Sequence, residues 1–313
     1  MNKNIKYMEN EIKPKNDYLL PSSIVVAAVI LAGAWVYTTG LKAANLESKT
    51  DIAANKGSEE VVLPVRWGNL GVEMANAGVI DRQKFESLYL KRGGLDEESR
   101  KLLYQSDNGN LKITAENSGI ILNLLWALGL GNKNTILESG PMNDPQYGGA
   151  GSFASTGGWT LAAGETMDHY SQHPFAILTP EQQQIVERVA KNIYRPCCGN
   201  STYFPDCNHG MAMLGLLELM TSQGVSEDDM YQAALTVNSY WFPDTYAAIH
   251  QYLALKGMDS NQVRPQQLLG RDFSSATGYR KILSELKSFQ PKNSGGCGVD
   301  AGVTPSKISG CGV

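Results

Sequence analysis

The sequence predicts a mainly α protein: an irregular helical bundle, preceded by an N-terminal transmembrane helix and followed by a disordered Gly/Cys tail. Three observations carry that expectation. An uncharged run lies near the N-terminus, apolar residues recur at helical spacing between cap and stop signals, and the last two dozen residues have little to bury. No run between them alternates with the two-residue period of a strand, so the body reads as helical throughout.

From Tyr18 to Leu41 no side chain is charged, and Ile24 to Tyr37 is almost wholly apolar. About 20 residues suffice to span the hydrocarbon core as a helix, which satisfies its own backbone groups. Trp35 and Tyr37 sit near one end, where amphipathic rings favour the interface. Lys3, Lys6, Lys13 and Lys15 precede the run, whereas Lys42 and Lys49 follow it. That bias keeps the N-terminus in the cytoplasm and exports the body. A cleaved signal peptide, cut near Ala43-Ala44, is the alternative to an uncleaved anchor. The expected plan is a cytoplasmic segment 1–17, a single-pass anchor 18–41, a linker 42–60, an extracytoplasmic helical domain 61–290 and a tail 291–313.

Within the domain, 61–132 reads as helical, with a short helix over Gly71–Gly78 and another after an Asp81 cap that puts Phe85, Leu88 and Tyr89 on one face. Thr114-Ala115-Glu116-Asn117 introduces a helix apolar nearly all round, from Ile120 to Leu128, suited to the centre of a bundle. Residues 139–164 are glycine-rich without helical period and read as a long ordered loop or flap. Thr179-Pro180 starts the next helix, whose face of Ile185, Val186, Val189, Ile193 and Tyr194 runs into Pro196. Further helices follow over Met211–Ser222, after a Ser226 cap toward Trp241, over Thr245–Leu255 and over Ile282–Phe289. The tail repeats Ser-Gly-Gly-Cys297-Gly-Val and Ser-Gly-Cys311-Gly-Val.

The chemistry concentrates in one stretch. Three of five cysteines and one of four histidines fall between Cys197 and His209, as CC-x8-C-x-H. Three thiolates and an imidazole match in type a tetrahedral zinc site, and thiolates also select Cu(I). Adjacent side chains tend to diverge, so Cys197 and Cys198 are expected to split, one of them serving structure. Met211 and Met213 add soft sulfur at the start of an apolar helix, where core packing is the plainer account. Glu165, His169 and His173, spaced i, i+4, i+8, would form a second ligand stripe on a continuous helix, although Pro174 opposes helix there. Cys297 and Cys311 are accessory tail thiols able to reach a metal or a disulfide. Outside the cytoplasm cysteines tend to pair, and an odd count leaves one over. The same residues therefore also suit a thiol–disulfide site, with a structural bridge from Cys207 to Cys197 or Cys198 as the bland alternative.

Net charge is −4, with no basic surface or aromatic–arginine interleaving, so no nucleic-acid partner is expected. No GxGxxG, Walker, GxSxG or HExxH pattern occurs, and binding rather than catalysis is the expected role.

Residues from about 195 to 242 resemble the thiol-bearing domain of the cytochrome c maturation haem-lyase subunit family. The likeness lies in Cys197-Cys198 with Ser201, the Met211–Ser222 helix, the turn Gly224-Val225-Ser226-Glu227 and the helix to Tyr240. It implies a membrane-anchored three-helix unit handling thiols outside the cytoplasm, with Cys197 or Cys198 as a redox thiol and a redox partner protein. The family's pair is C-x-x-C, whereas this chain has adjacent cysteines and adds Cys207 and His209. The expectation is thus a metal-binding protein using Zn or Cu, with a metal-transfer partner. Its alternatives are a thiol–disulfide protein and a helical scaffold stapled by disulfides.

Overall fold

The structure, a computed structural model, describes residues 60–289. The predicted anchor 18–41 and the tail thiols Cys297 and Cys311 lie outside the described residues. Among the described residues no helix is long and apolar enough to cross a membrane. The fold is mainly helical, as its sequence patterning predicts.

One departure comes first. The chain opens with a strand, β1 (Val61–Gly68), paired antiparallel with β2 (Asn108–Ile113). Leu63, Val65 and Trp67 are buried and alternate with exposed Val62, Pro64 and Arg66, which is the two-residue period of a half-buried strand. Pro64 hides that signal, because proline is disfavoured in strand interiors. The register shifts between Val62 and Arg66, where Pro64 has no N–H to give the ladder. The reading of 61–132 as helical throughout is corrected accordingly.

Between the strands lie α1 (Leu70–Asn76), α2 (Arg82–Leu90) and α3 (Glu97–Tyr104). The Asp81 carboxylate caps α2, accepting from the amides of Gln83 and Lys84 at 2.9 and 3.0 Å. The centre of the molecule is α4 (Ser118–Gly131), buried along nearly its whole length. It packs on α7 (Asn208–Ser222), and the two backbones touch at glycines. A Cβ on Gly129 would lie 2.1 Å from the Met211 carbonyl oxygen, and one on Gly215 2.5 Å from that of Leu125. The first turns of α7 are thereby fixed against the end of α4.

The short α5 (Thr135–Ser139) leads into the glycine-rich segment, which forms a series of 3-10 turns. Trp159 and Trp126 pack edge-to-face at 5.0 Å, and the Trp126 indole donates to the Ser155 carbonyl at 2.7 Å. Helix α6 (Pro180–Ala190) has the capping box formed by Thr179 and Gln182. Helix α8 (Glu227–Trp241) starts from the Ser226 cap and α9 (Pro243–Leu255) follows at once. A smaller core joins α9 to α10 (Pro265–Leu268) and α12 (Ala276–Phe289) through Ile249, Leu253, Leu268 and Ile282, with α11 (Arg271–Ser274) between them.

One polar group sits deep in this core. The Glu218 carboxyl on α7 is fully buried and accepts from the side-chain amides of Asn132 and Asn134 at 3.1 and 2.6 Å. Burial raises its pKa well above the carboxylate range, although both amide bonds oppose the shift.

Candidate metal centre

Helix α6 stops at Ala190, and the chain turns back on itself in a loop tied at both ends. The Thr202 amide donates to the Ile193 carbonyl at 2.8 Å, and Tyr194 bridges Ser201. Inside that loop the Cys198 amide donates to the Arg195 carbonyl at 3.2 Å, which makes a tight turn of Arg195–Cys198. Remote segments hold the loop from outside: the Ser155 amide donates to the Asp206 carbonyl at 3.3 Å, and the Ala276 amide to the Cys198 carbonyl at 2.9 Å. The glycine-rich segment is therefore one wall of the cysteine loop.

Cys207 ends the loop as the N-cap of α7, its sulfur accepting from the Gly210 amide at 3.4 Å. His209 stands on the first turn of the same helix, its ring against Phe242 at 4.5 Å and Trp241 at 5.6 Å between centroids. These placements bring the predicted ligands together. The Cys197 sulfur lies 3.6 Å from that of Cys207, 3.5 Å from that of Cys198 and 3.8 Å from His209 Nδ1. Among the described residues no disulfide joins these cysteines. A tetrahedral ion with bonds of about 2.3 Å to sulfur and about 2.0–2.1 Å to nitrogen sets sulfur–sulfur edges of about 3.8 Å and sulfur–nitrogen edges of about 3.6 Å. The observed edges fall close to those values. Cys197, Cys207 and His209 are thus near enough to hold one metal ion.

The expected divergence of the vicinal pair does not occur, because the Arg195–Cys198 turn folds Cys198 back beside its neighbour. Cys198, Asp206 and Cys207 make a second group of ligand type. There the carboxylate is already engaged: Arg195 holds one oxygen and the Asn200 side-chain amide the other, the latter at 2.9 Å. Met211 and Met213 belong to the buried apolar core.

Arg195 is the residue that the sequence reading did not assign. It is 1% exposed, and its guanidinium donates to the Cys207 sulfur at 3.1 Å, to the Asn200 and Phe204 carbonyls at 2.9 and 3.0 Å, and to Asp206. Burial opposes the charge, but the facing Cys207 and Asp206 more than offset it, so the guanidinium stays ionised. Hydrogen bonds from Cys197 and Cys198 hold the Cys207 thiol well below its ordinary range against the effect of burial, with the Arg195 charge adding to them. For Cys198 the bond to Cys197 lowers the pKa, yet its bond to Cys207, burial and the Cys207 charge push it up to about 12. The one early signal for Arg195 was its position directly before Pro196-Cys197-Cys198, which carries no information about a contact to Cys207.

The second predicted stripe does not form. Glu165 precedes a 3-10 turn (Thr166–Asp168) and is exposed, while Ser171 at φ +56° takes the chain out of helix before His173. His169 Nδ1 and His173 Nε2 do meet, at 3.2 Å, and His169 Nε2 bonds the Ala163 carbonyl at 2.9 Å. No Cys, Asp or Glu ligand atom completes a group with this pair among the described residues. The contact is an imidazole–imidazole hydrogen bond.

No family model, curated protein or solved structure matches the chain.

Proposed function

We propose that this protein is a membrane-anchored, extracytoplasmic metal-binding protein. Its centre would hold a thiophilic d10 cation, Zn(II) or Cu(I), on Cys197, Cys207 and His209, with Cys198 as the fourth ligand. The observation that carries this reading is that the Cys197 sulfur lies 3.5 to 3.8 Å from the other three ligand atoms, about the edge length of a coordination tetrahedron, with Cys197, Cys207 and His209 mutually near enough to hold one ion. The anchor over 18–41 and export of the body rest on the uncharged run and the lysines before it. Cys297 and Cys311 enter as accessory thiols that capture or deliver the ion, and a metal-transfer protein as the partner.

The thiol–disulfide alternative is less well supported. Exchange with a partner needs the activated thiolate to be accessible. Here Cys207, the thiol whose pKa is depressed, is 3% exposed, while its neighbours Cys197 and Cys198 are only half-buried.

The test is metal analysis with thiol counting on the full chain, purified anaerobically in detergent. One ion per chain is expected, lost in Cys207→Ser with the fold retained and kept in Cys297→Ser and Cys311→Ser. Acidification should release it, because thiolate and neutral imidazole are the ligating forms. A natively folded protein that takes up neither Zn(II) nor Cu(I) would sink the proposal.

A further inference from the structure

Arg195 brings a permanent positive charge to the edge of a site read as holding a cation. Its guanidinium cannot swing away, because four acceptors surround it: the Cys207 sulfur, the Asn200 and Phe204 carbonyls and Asp206. Gly210 makes room for it on the first turn of α7, since a Cβ there would lie 2.6 Å from the guanidinium carbon. Arginine does not deprotonate in proteins, so this charge is independent of pH.

A fixed charge opposes a nearby cation in proportion to that cation's own charge. The opposition felt by a divalent ion is therefore about twice that felt by a monovalent one. Thiolate sulfur binds both the soft Cu(I) and the borderline Zn(II), so local charge is a second means of discriminating between them. Resting on the metal-binding reading above, we propose that Arg195 is a specificity-determining residue that tilts the centre toward monovalent Cu(I) over divalent Zn(II), acting through its contact with the Cys207 sulfur. A residue that merely tied the loop together would affect both ions alike.

The experiment uses the full chain in detergent without oxygen. Cu(I) and Zn(II) affinities are measured separately, each by competition with a chromophoric chelator, for the native protein, Arg195→Gln and Arg195→Lys. In Arg195→Gln the Cu(I):Zn(II) affinity ratio should fall by about tenfold or more, and in Arg195→Lys it should stay within about threefold of native. A ratio unchanged in Arg195→Gln, or one that falls as far with lysine as with glutamine, overturns the proposal. If Arg195→Gln does not fold, Asp206→Asn carries the test: removing the opposing charge should raise the ratio, and no rise overturns the proposal. A native protein that binds neither ion overturns the metal-binding reading itself.

Discussion

Gly129→Ala is the sharpest test of how the helices position the centre. The added methyl would stand 2.1 Å from the Met211 carbonyl oxygen and 2.9 Å from the Gly215 amide nitrogen. Both neighbours are backbone, so no side-chain rotation relieves the overlap. To restore ordinary contact α7 must move off α4 by about 1 Å, and overpacking of that kind costs roughly 1–3 kcal/mol, occasionally more. Alanine returns up to about 1 kcal/mol through helix propensity, a gain that the overlap with two backbone atoms outweighs. A net loss of about 1 kcal/mol lowers the melting temperature by roughly 2–4 °C for a domain of this size. Met211 lies two residues past His209, so metal uptake should weaken along with stability. Gly119→Ala, on the same helix with nothing within 4 Å of the new methyl, is the matched control and should be neutral or mildly stabilising. Thermal unfolding followed by circular dichroism reads both. A Gly129→Ala protein that melts at or above the native temperature refutes the argument.

Other expectations follow from single groups. Among the described residues the buried Ser155 Oγ has no hydrogen-bond partner, so Ser155→Ala should add about 1 kcal/mol of stability, read as a higher denaturant midpoint. Glu218 has a folded pKa raised above its unfolded value by burial, so it binds more protons when folded. Its contribution is complete below the unfolded pKa of about 4.3 and is lost as pH rises toward the folded value. Denaturation measured across that window should show a downward slope that Glu218→Gln flattens; equal slopes would reject the assignment. His173 is shifted the other way, lowered by burial and then by the neighbouring His169 charge. Stability should therefore fall as pH drops below about 6.5, and His173→Gln should reduce that fall in the same titration.

Three helices were legible from their caps, Asp81, Thr179 with Gln182, and Ser226, whereas the Asp96 cap of α3 and the Asn134 cap of α5 went unread. The missed strand has an alternating face in Leu63, Val65 and Trp67, but Pro64 in its middle argued against it, and only the register shift accommodates that proline. The cysteine cluster could be read because its members are close in sequence. What holds it could not: Arg195 reaches Cys207 across a folded loop, and Ser155 and Ala276 reach it from distant segments. The Glu165–His169–His173 spacing failed because it presumed a helix that Ser171 leaves.

The amide of Ala276 on the Cys198 carbonyl, and that of Tyr194 on the Leu269 carbonyl, have a consequence for the order of assembly. The cysteines leave the ribosome well before the residues that hold their loop in shape. The loop can reach its final geometry only after α10 to α12 have been made and docked. A sequence-local motif is in this sense a late-forming one: a truncated or stalled chain would carry the four cluster side chains and still lack their arrangement, so under the proposed function metal loading would await the finished protein.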